Sequence, residues 1–192
     1  MAERLQHALK WLLCMAAVVL VAWLLYGGML ADTAPGDFAY QAANKYFADG
    51  IYEQALTEYE DALRDNPAHQ GALAGKAAVL VQLEREQDAI AIYDGLIATQ
   101  PEHPGYYANR GIAHDRLNQH ESALADYEIA ISLDPEIGDG PGWLTRFLRN
   151  EPEPVPGIAD RAGYIRSQLA LPPPQRVLRV PKIDEAQRPY KK

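Results

Sequence analysis

The chain has 192 residues, nearly half of them apolar, enough for one modest folded domain with extensions and not for several. Its net charge of −8 is unevenly placed, with 18 acidic and 6 basic side chains in residues 32–135 against 7 and 10 in residues 136–192. An acidic folded part is repelled by phosphate backbones, which excludes nucleic acid as an expected partner; a single cysteine, Cys14, excludes a disulfide framework and a cysteine-based metal site.

Residues 1–10 read as a short N-terminal tail bearing Arg4 and Lys10. Residues 11–30 then carry no charged side chain, and a helix of that length, at about 1.5 Å per residue, spans the ~30 Å hydrocarbon core. A transmembrane helix is expected there. A cleaved signal peptide would need small residues three places and one place before the cut, yet a cut after Ala31 puts Met29 at the first of these, and a cut after Ala34 puts Asp32 there. Cys14 follows Leu12 and Leu13 near the start of the apolar run, where a lipidated cysteine does not belong. Basic residues precede the span, while Asp32 and Asp37 follow it before Lys45. That bias predicts a cytoplasmic N-terminus and an extracytoplasmic remainder, which for a bacterial source means the periplasmic side of the inner membrane. Residues 31–35 are the linker.

Beyond the linker the chain repeats. A 34-residue offset places Ala55, Ala89 and Ala123 in one column, Tyr59, Tyr93 and Tyr127 in a second, and Pro67, Pro101 and Pro135 in a third, with no gaps. Three units follow, 36–69, 70–103 and 104–137. Each reads as two antiparallel helices, with small residues where the axes come nearest: Ala43, Ala77 and Gly111 on the first helix and the alanine column on the second. Four residues after each alanine, on the same helical face, a tyrosine fills the space between repeats. Each proline stops the second helix, because it lacks a backbone donor and pushes the preceding residue out of the α region.

With these columns the chain resembles the tetratricopeptide-repeat (TPR) family, most closely over residues 107–135, which read YANRGIAHDRLNQHESALADYEIAISLDP. It departs from the family pattern at Leu96, where a small residue is usual, and at Lys76 and Arg110, where an aliphatic is common. The resemblance implies an all-α solenoid of three helical hairpins that together bury a core one hairpin alone cannot.

Residues 138–171 are expected to close the array. Trp143, Leu144, Phe147 and Leu148 fall on one side of a short helix suited to capping the last repeat, the rival reading being a helix that lies on a membrane surface. Residues 151–156, EPEPVP, form a stiff linker, and Ile158, Ile165 and Leu169 line a second short helix. Residues 172–192 contain five prolines, six basic residues and two acidic ones. That is too little apolar content for a fold of its own, and the tail is expected to be extended and outside the core.

The search for chemistry ends without a site. His7, His69, His103, His114 and His120 show no metal-ligand spacing, and they read as surface or interhelix residues. Glu58, Glu60, Asp61 and Asp65 wind around an exposed helix face. Asp49 with Gly50 is the turn inside the first repeat, and no glycine-rich phosphate loop exists. No catalytic residue, metal, cofactor or small-molecule substrate is expected; the chain does not read as an enzyme.

The resemblance implies instead a concave groove, lined by the first helices, that binds peptides or protein partners. The matching positions are Tyr40, Asn44 and Phe47 in the first repeat, Ala74, Ala78 and Val81 in the second, and Ala108, Ile112 and Asp115 in the third. Some family members hold a C-terminal carboxylate with lysine, asparagine and arginine; here Asn44 alone matches, with Tyr40, Gly75, Gly105 and Asn109 at the other places. A competing reading is that the chain's own C-terminal segment partly covers these apolar positions. The expected function is a membrane-anchored protein–protein interaction scaffold that recruits or assembles an envelope complex at the inner membrane or in the periplasm. Its partners would be proteins in or at the membrane, with lipid around residues 11–30. The alternative is a permanent structural subunit of a membrane complex, its tail wrapped on a neighbouring subunit.

Overall fold

The computed structural model describes residues 2–29, 34–139 and 156–180, with α1 side chains described at His7 and over residues 10–23. The first helix, α1, spans Ala2–Met29. Residues 2–10 are helical as well, since Ala, Glu, Arg, Leu, Gln and Lys all favour the helix that the apolar run continues. Every side chain over residues 10–23 is exposed, on all sides of the helix. Among the described residues no helix is long and apolar enough to cross a membrane. The described side-chain stretch, residues 10–23, is shorter than the ~20 residues a crossing requires, and position 30, at the end of the expected span, lies outside the described residues.

Three hairpins follow: α2 (Asp37–Ala48) with α3 (Tyr52–Asp65), α4 (Gln70–Gln82) with α5 (Glu86–Thr99), and α6 (Pro104–Arg116) with α7 (His120–Leu133). The second helices start at Tyr52, Glu86 and His120, a constant step of 34 residues. No strand occurs among the described residues. The alanine and tyrosine columns are fully buried in all three repeats. Just before each proline of the third column the backbone leaves the α region, at Asn66 (φ −141°, ψ 92°), Gln100 (φ −138°, ψ 73°) and Asp134 (φ −145°, ψ 100°). This is the restriction that a following proline imposes.

The turn inside each hairpin repeats as closely. Gly50, Glu84 and Asn118, each 34 residues from the next, adopt positive φ of 75°, 58° and 60°. The N–H groups of Ile51, Arg85 and Gln119 then donate to the carbonyls of Tyr46, Leu80 and His114. These bonds satisfy helix-end acceptors that water would otherwise serve. Sequence reading singled out only Gly50, because Glu is not a residue expected in the left-handed region.

The array closes on α8 (Ile158–Leu169), which packs against α7 and buries Ala162 and Ile165. The capping helix expected at Trp143, Leu144, Phe147 and Leu148 lies outside the described residues; α8 covers the last repeat. The tail is extended over residues 176–180, as expected, but the expectation that it stays outside the core is corrected there. A 3₁₀ turn at Pro173–Gln175 reverses the chain, and the following residues run back along α8. Tyr164 Oη donates to the Val177 carbonyl at 2.6 Å, the Val177 N–H donates to Gln168 Oε1 at 2.8 Å, and Arg161 donates to the Leu178 carbonyl at 3.0 Å. Leu178 packs on the main core. The prolines make the reversal possible, and α8 supplies the partners that composition alone could not reveal.

Candidate partner-binding groove

The first helices α2, α4 and α6 approach one another directly, more closely than the second helices do. The array therefore curves with the first helices inside. None of the nine expected groove residues is exposed. Ala78, Val81, Ala108, Ile112 and Asp115 are buried, and Tyr40, Asn44, Phe47 and Ala74 are half-buried. The half-buried four lie on α2 and the first half of α4; the groove is open at the first repeat and filled by its own side chains at the third.

Each open position is already shaped by a neighbour. The Tyr40 ring stands 4.7 Å from the His69 ring and 6.2 Å from that of Tyr59. Asn44 accepts a hydrogen bond from Tyr59 Oη at 2.8 Å. Phe47 meets Tyr52 edge-on at 5.6 Å, and the Ala74 carbonyl accepts from Tyr93 Oη at 3.4 Å. Burial, reinforced at Tyr59 by the neighbouring Tyr40, pushes both hydroxyls well above the usual phenol range, so they remain hydrogen-bond donors. The Tyr59 ring also lies across Gly75, where an added Cβ would sit 2.3 Å from the ring. A side chain at that position in α4 would displace the tyrosine, which is why glycine stands there.

One column explains why the groove closes. Phe47, Val81 and Asp115 hold the same place in the three repeats, but Val81 packs into the core, and its carbonyl accepts from Arg116 Nη1 at 2.6 Å. Asp115 is gripped by Arg161 of α8, with Nε to Oδ2 at 2.6 Å and Nη2 to Oδ1 at 2.8 Å. His120 Nδ1 lies 3.0 Å from the same carboxylate. This anchor was not foreseen, because the two residues belong to different segments and neither is unusual in its own. The positions of the carboxylate clamp hold no cation: Gly75 lies under Tyr59, Gly105 is buried, and Asn109 is hydrogen bonded to Tyr93.

The departures at Lys76 and Arg110 also find a reason. Lys76 pairs with Glu60 at 2.9 Å, and 34 residues on, Arg110 pairs with Asp94 at 2.6 Å. The next acid of that column, Glu128, pairs with Arg166 of α8 at 2.8 Å, so α8 receives the contact that a fourth repeat's first helix would make. Arg110 further grips the buried Asp126 through two bonds of 2.9 and 2.6 Å. Those bonds, with Asp94, hold the guanidinium pKa above its ordinary value. Leu96 is buried in the core. The described histidines beyond α1 serve packing and caps. His69 Nδ1 accepts the Ala72 N–H at the start of α4 while Nε2 faces Asp37 at 3.1 Å, His103 stacks on Tyr106, and His114 meets Gln119. Among the described residues no group of three or more His, Cys, Asp and Glu could hold a metal ion.

Residues 46–109 and residues 104–137 each match the tetratricopeptide-repeat family. No curated protein matches the chain. Among solved structures it is similar to the first TPR of Spaghetti (RPAP3) bound to the HSP90 peptide SRMEEVD, at 24% identity over 62% of this chain and 92% of that one, with a TM-score of 0.51. It is similar also to MamA from Desulfovibrio magneticus RS-1, at 21% identity over 72% and 75% of the two chains and a TM-score of 0.51. The Sgt2 TPR domain from Aspergillus fumigatus gives 19% identity, 72% and 88% coverage, and a TM-score of 0.53. These likenesses are of fold. The two family matches, taken with the buried alanine and tyrosine columns and the proline column at the same 34-residue step, mean that the chain belongs to the tetratricopeptide-repeat family.

Proposed function

We propose that this chain is a membrane-anchored scaffold that holds an extended segment of a protein partner at the first-repeat end of its groove and so helps assemble a membrane or envelope complex. The observation that carries the reading is the contrast along the groove: Tyr40, Asn44, Phe47 and Ala74 keep accessible surface, whereas the third-repeat positions are spent on internal packing. A solved relative, the first TPR of Spaghetti, is bound to an HSP90 peptide; here no clamp of basic side chains supports recognition of such an acidic tail, and the aromatic pair Tyr40 and Phe47 favours an apolar or aromatic segment. The anchoring part is supported by α1, whose Trp11, Leu12, Leu13, Met15, Val18, Val19, Leu20, Val21 and Trp23 are all exposed. A helix apolar on every side belongs in a core or a bilayer, and the described array covers none of these side chains. The permanent-subunit reading is less favoured, because residues 172–180 lie along the chain's own α8 instead of reaching outward.

A photo-crosslinking phenylalanine placed at Phe47 or at Ile112, in the full chain in its own membranes, tests the groove. Adducts to another protein are expected from position 47 and not from position 112. Adducts from position 47 to the chain's own C-terminal segment alone would overturn the reading. A phosphatase that works only after export, fused to the C-terminus, tests the topology and is expected to be active.

A further inference from the structure

The array has two ends, and among the described residues only one of them is covered. At the far end α8 packs on α7. At the near end α2 has no preceding hairpin, and the repeat columns show what it leaves open. Phe38, Ala72 and Tyr106 share one place in the three first helices; Ala72 and Tyr106 are 0% and 6% exposed, whereas Phe38 is 74% exposed. Seven residues on, Val79 and Ala113 are buried, and their counterpart Lys45 is exposed. Gln41, between them, is exposed as well. The face that α2 turns away from the array thus presents an aromatic ring and, two turns further along the same side, a cation on an apolar stem.

That pairing suits a lipid headgroup region. A ring there enters the acyl boundary, and a lysine stem lies along it while the ammonium reaches lipid phosphates. The nearby carboxylate of Asp37 is turned toward the array, 3.1 Å from His69 Nε2. The chain path brings the face close to α1: α1 ends at Met29 and α2 begins at Asp37, and the seven residues between span at most about 25 Å even when fully extended. We infer that, with α1 in the bilayer, this face of α2 rests on the membrane surface, with Phe38 at the acyl boundary and Lys45 on the phosphates. The inference rests on the anchoring proposed above. It places the open end of the groove, at Tyr40 and Phe47, beside the bilayer and directs the closed end away, so the partner is met at the membrane surface.

The test uses the full chain with Cys14→Ala, reconstituted in vesicles of phosphatidylcholine with a minor fraction of phosphatidylglycerol. One nitroxide label is placed at a time, through Gln41→Cys, through Thr57→Cys on the outer helix α3, or through Val19→Cys in α1. Collisions with dissolved oxygen and with a water-soluble nickel chelate are compared. The label at 41 is expected to be shielded from nickel several-fold more than the label at 57, and Phe38→Asp is expected to abolish that shielding without disturbing the fold. A label at 41 as open to nickel as the label at 57, with the label at 19 rich in oxygen collisions, would defeat this inference and leave the anchor intact. A label at 19 open to nickel would defeat the anchor itself. Shielding at 41 that persists unchanged in detergent would mean that protein covers the face, and would likewise overturn the inference.

Discussion

Arg161 reaches across 46 residues of sequence to close a two-bonded fork on Asp115, and both side chains are buried where α8 meets the last repeat. Removing one partner leaves the other's charge buried without its two-bonded counter-charge. Arg161→Ala is therefore expected to cost about 3–5 kcal/mol, while Arg161→Met combined with Asp115→Leu costs less than either single change. Urea unfolding of the parent chain, the single variants and the double variant in detergent measures this. If the double replacement proves the least stable of the set, the pair is not the anchor described.

Two glycines in second-repeat helices have opposite surroundings. A Cβ on Gly75 would meet the Tyr59 ring, whereas nothing lies within 4 Å of a Cβ on Gly95 in α5. Gly75→Ala is expected to destabilise by about 1–3 kcal/mol through overpacking. Gly95→Ala is expected to stabilise by about 0.5–1 kcal/mol, through the lower entropy of the unfolded chain. Thermal unfolding of both variants side by side decides it, and effects of the same sign would contradict the packing of Tyr59 over α4.

Glu84 holds a left-handed backbone that costs a residue with a Cβ about 1 kcal/mol or more. Glu84→Gly is expected to recover most of that and raise the melting temperature by roughly 4 °C. Asn118→Gly, at the matching turn, should gain less, because asparagine tolerates the left-handed region. A melting temperature lowered by Glu84→Gly would show that its side chain contributes more than its backbone strain removes.

Ending the chain after Leu171 removes Val177 and Leu178 from α8. The carbonyls that satisfy Tyr164 and Arg161, and the apolar contact of Leu178 with the core, go with them. The melting temperature is expected to fall by about 5 °C, a loss on the order of 1–2 kcal/mol. The strongest recovery of hydrogen exchange should appear in the amides of α8. An unchanged melting profile would return this segment to the non-core state expected from its composition.

The sequence by itself determined the repeat. Alanine, tyrosine and proline columns at 34-residue spacing are local solutions to one packing problem solved three times, so the helix pairs, their buried faces and their pre-proline breaks could all be read from residue order. It also offered nine positions expected to line a groove. Tertiary structure alone decided how much of that groove is open. Phe47, Val81 and Asp115 occupy one column, yet each is finished by what packs beside it: Tyr52 in the same hairpin, the main core, and Arg161 of a helix after the array. Carrying a lining from repeat to repeat assumes equal neighbours, and the two ends of a solenoid do not have them. The same asymmetry buries Tyr106 and leaves Phe38 exposed. Tertiary structure likewise sets residues 176–180 along α8, where Leu178 meets the core and the backbone of Val177 and Leu178 finds partners on Tyr164, Gln168 and Arg161.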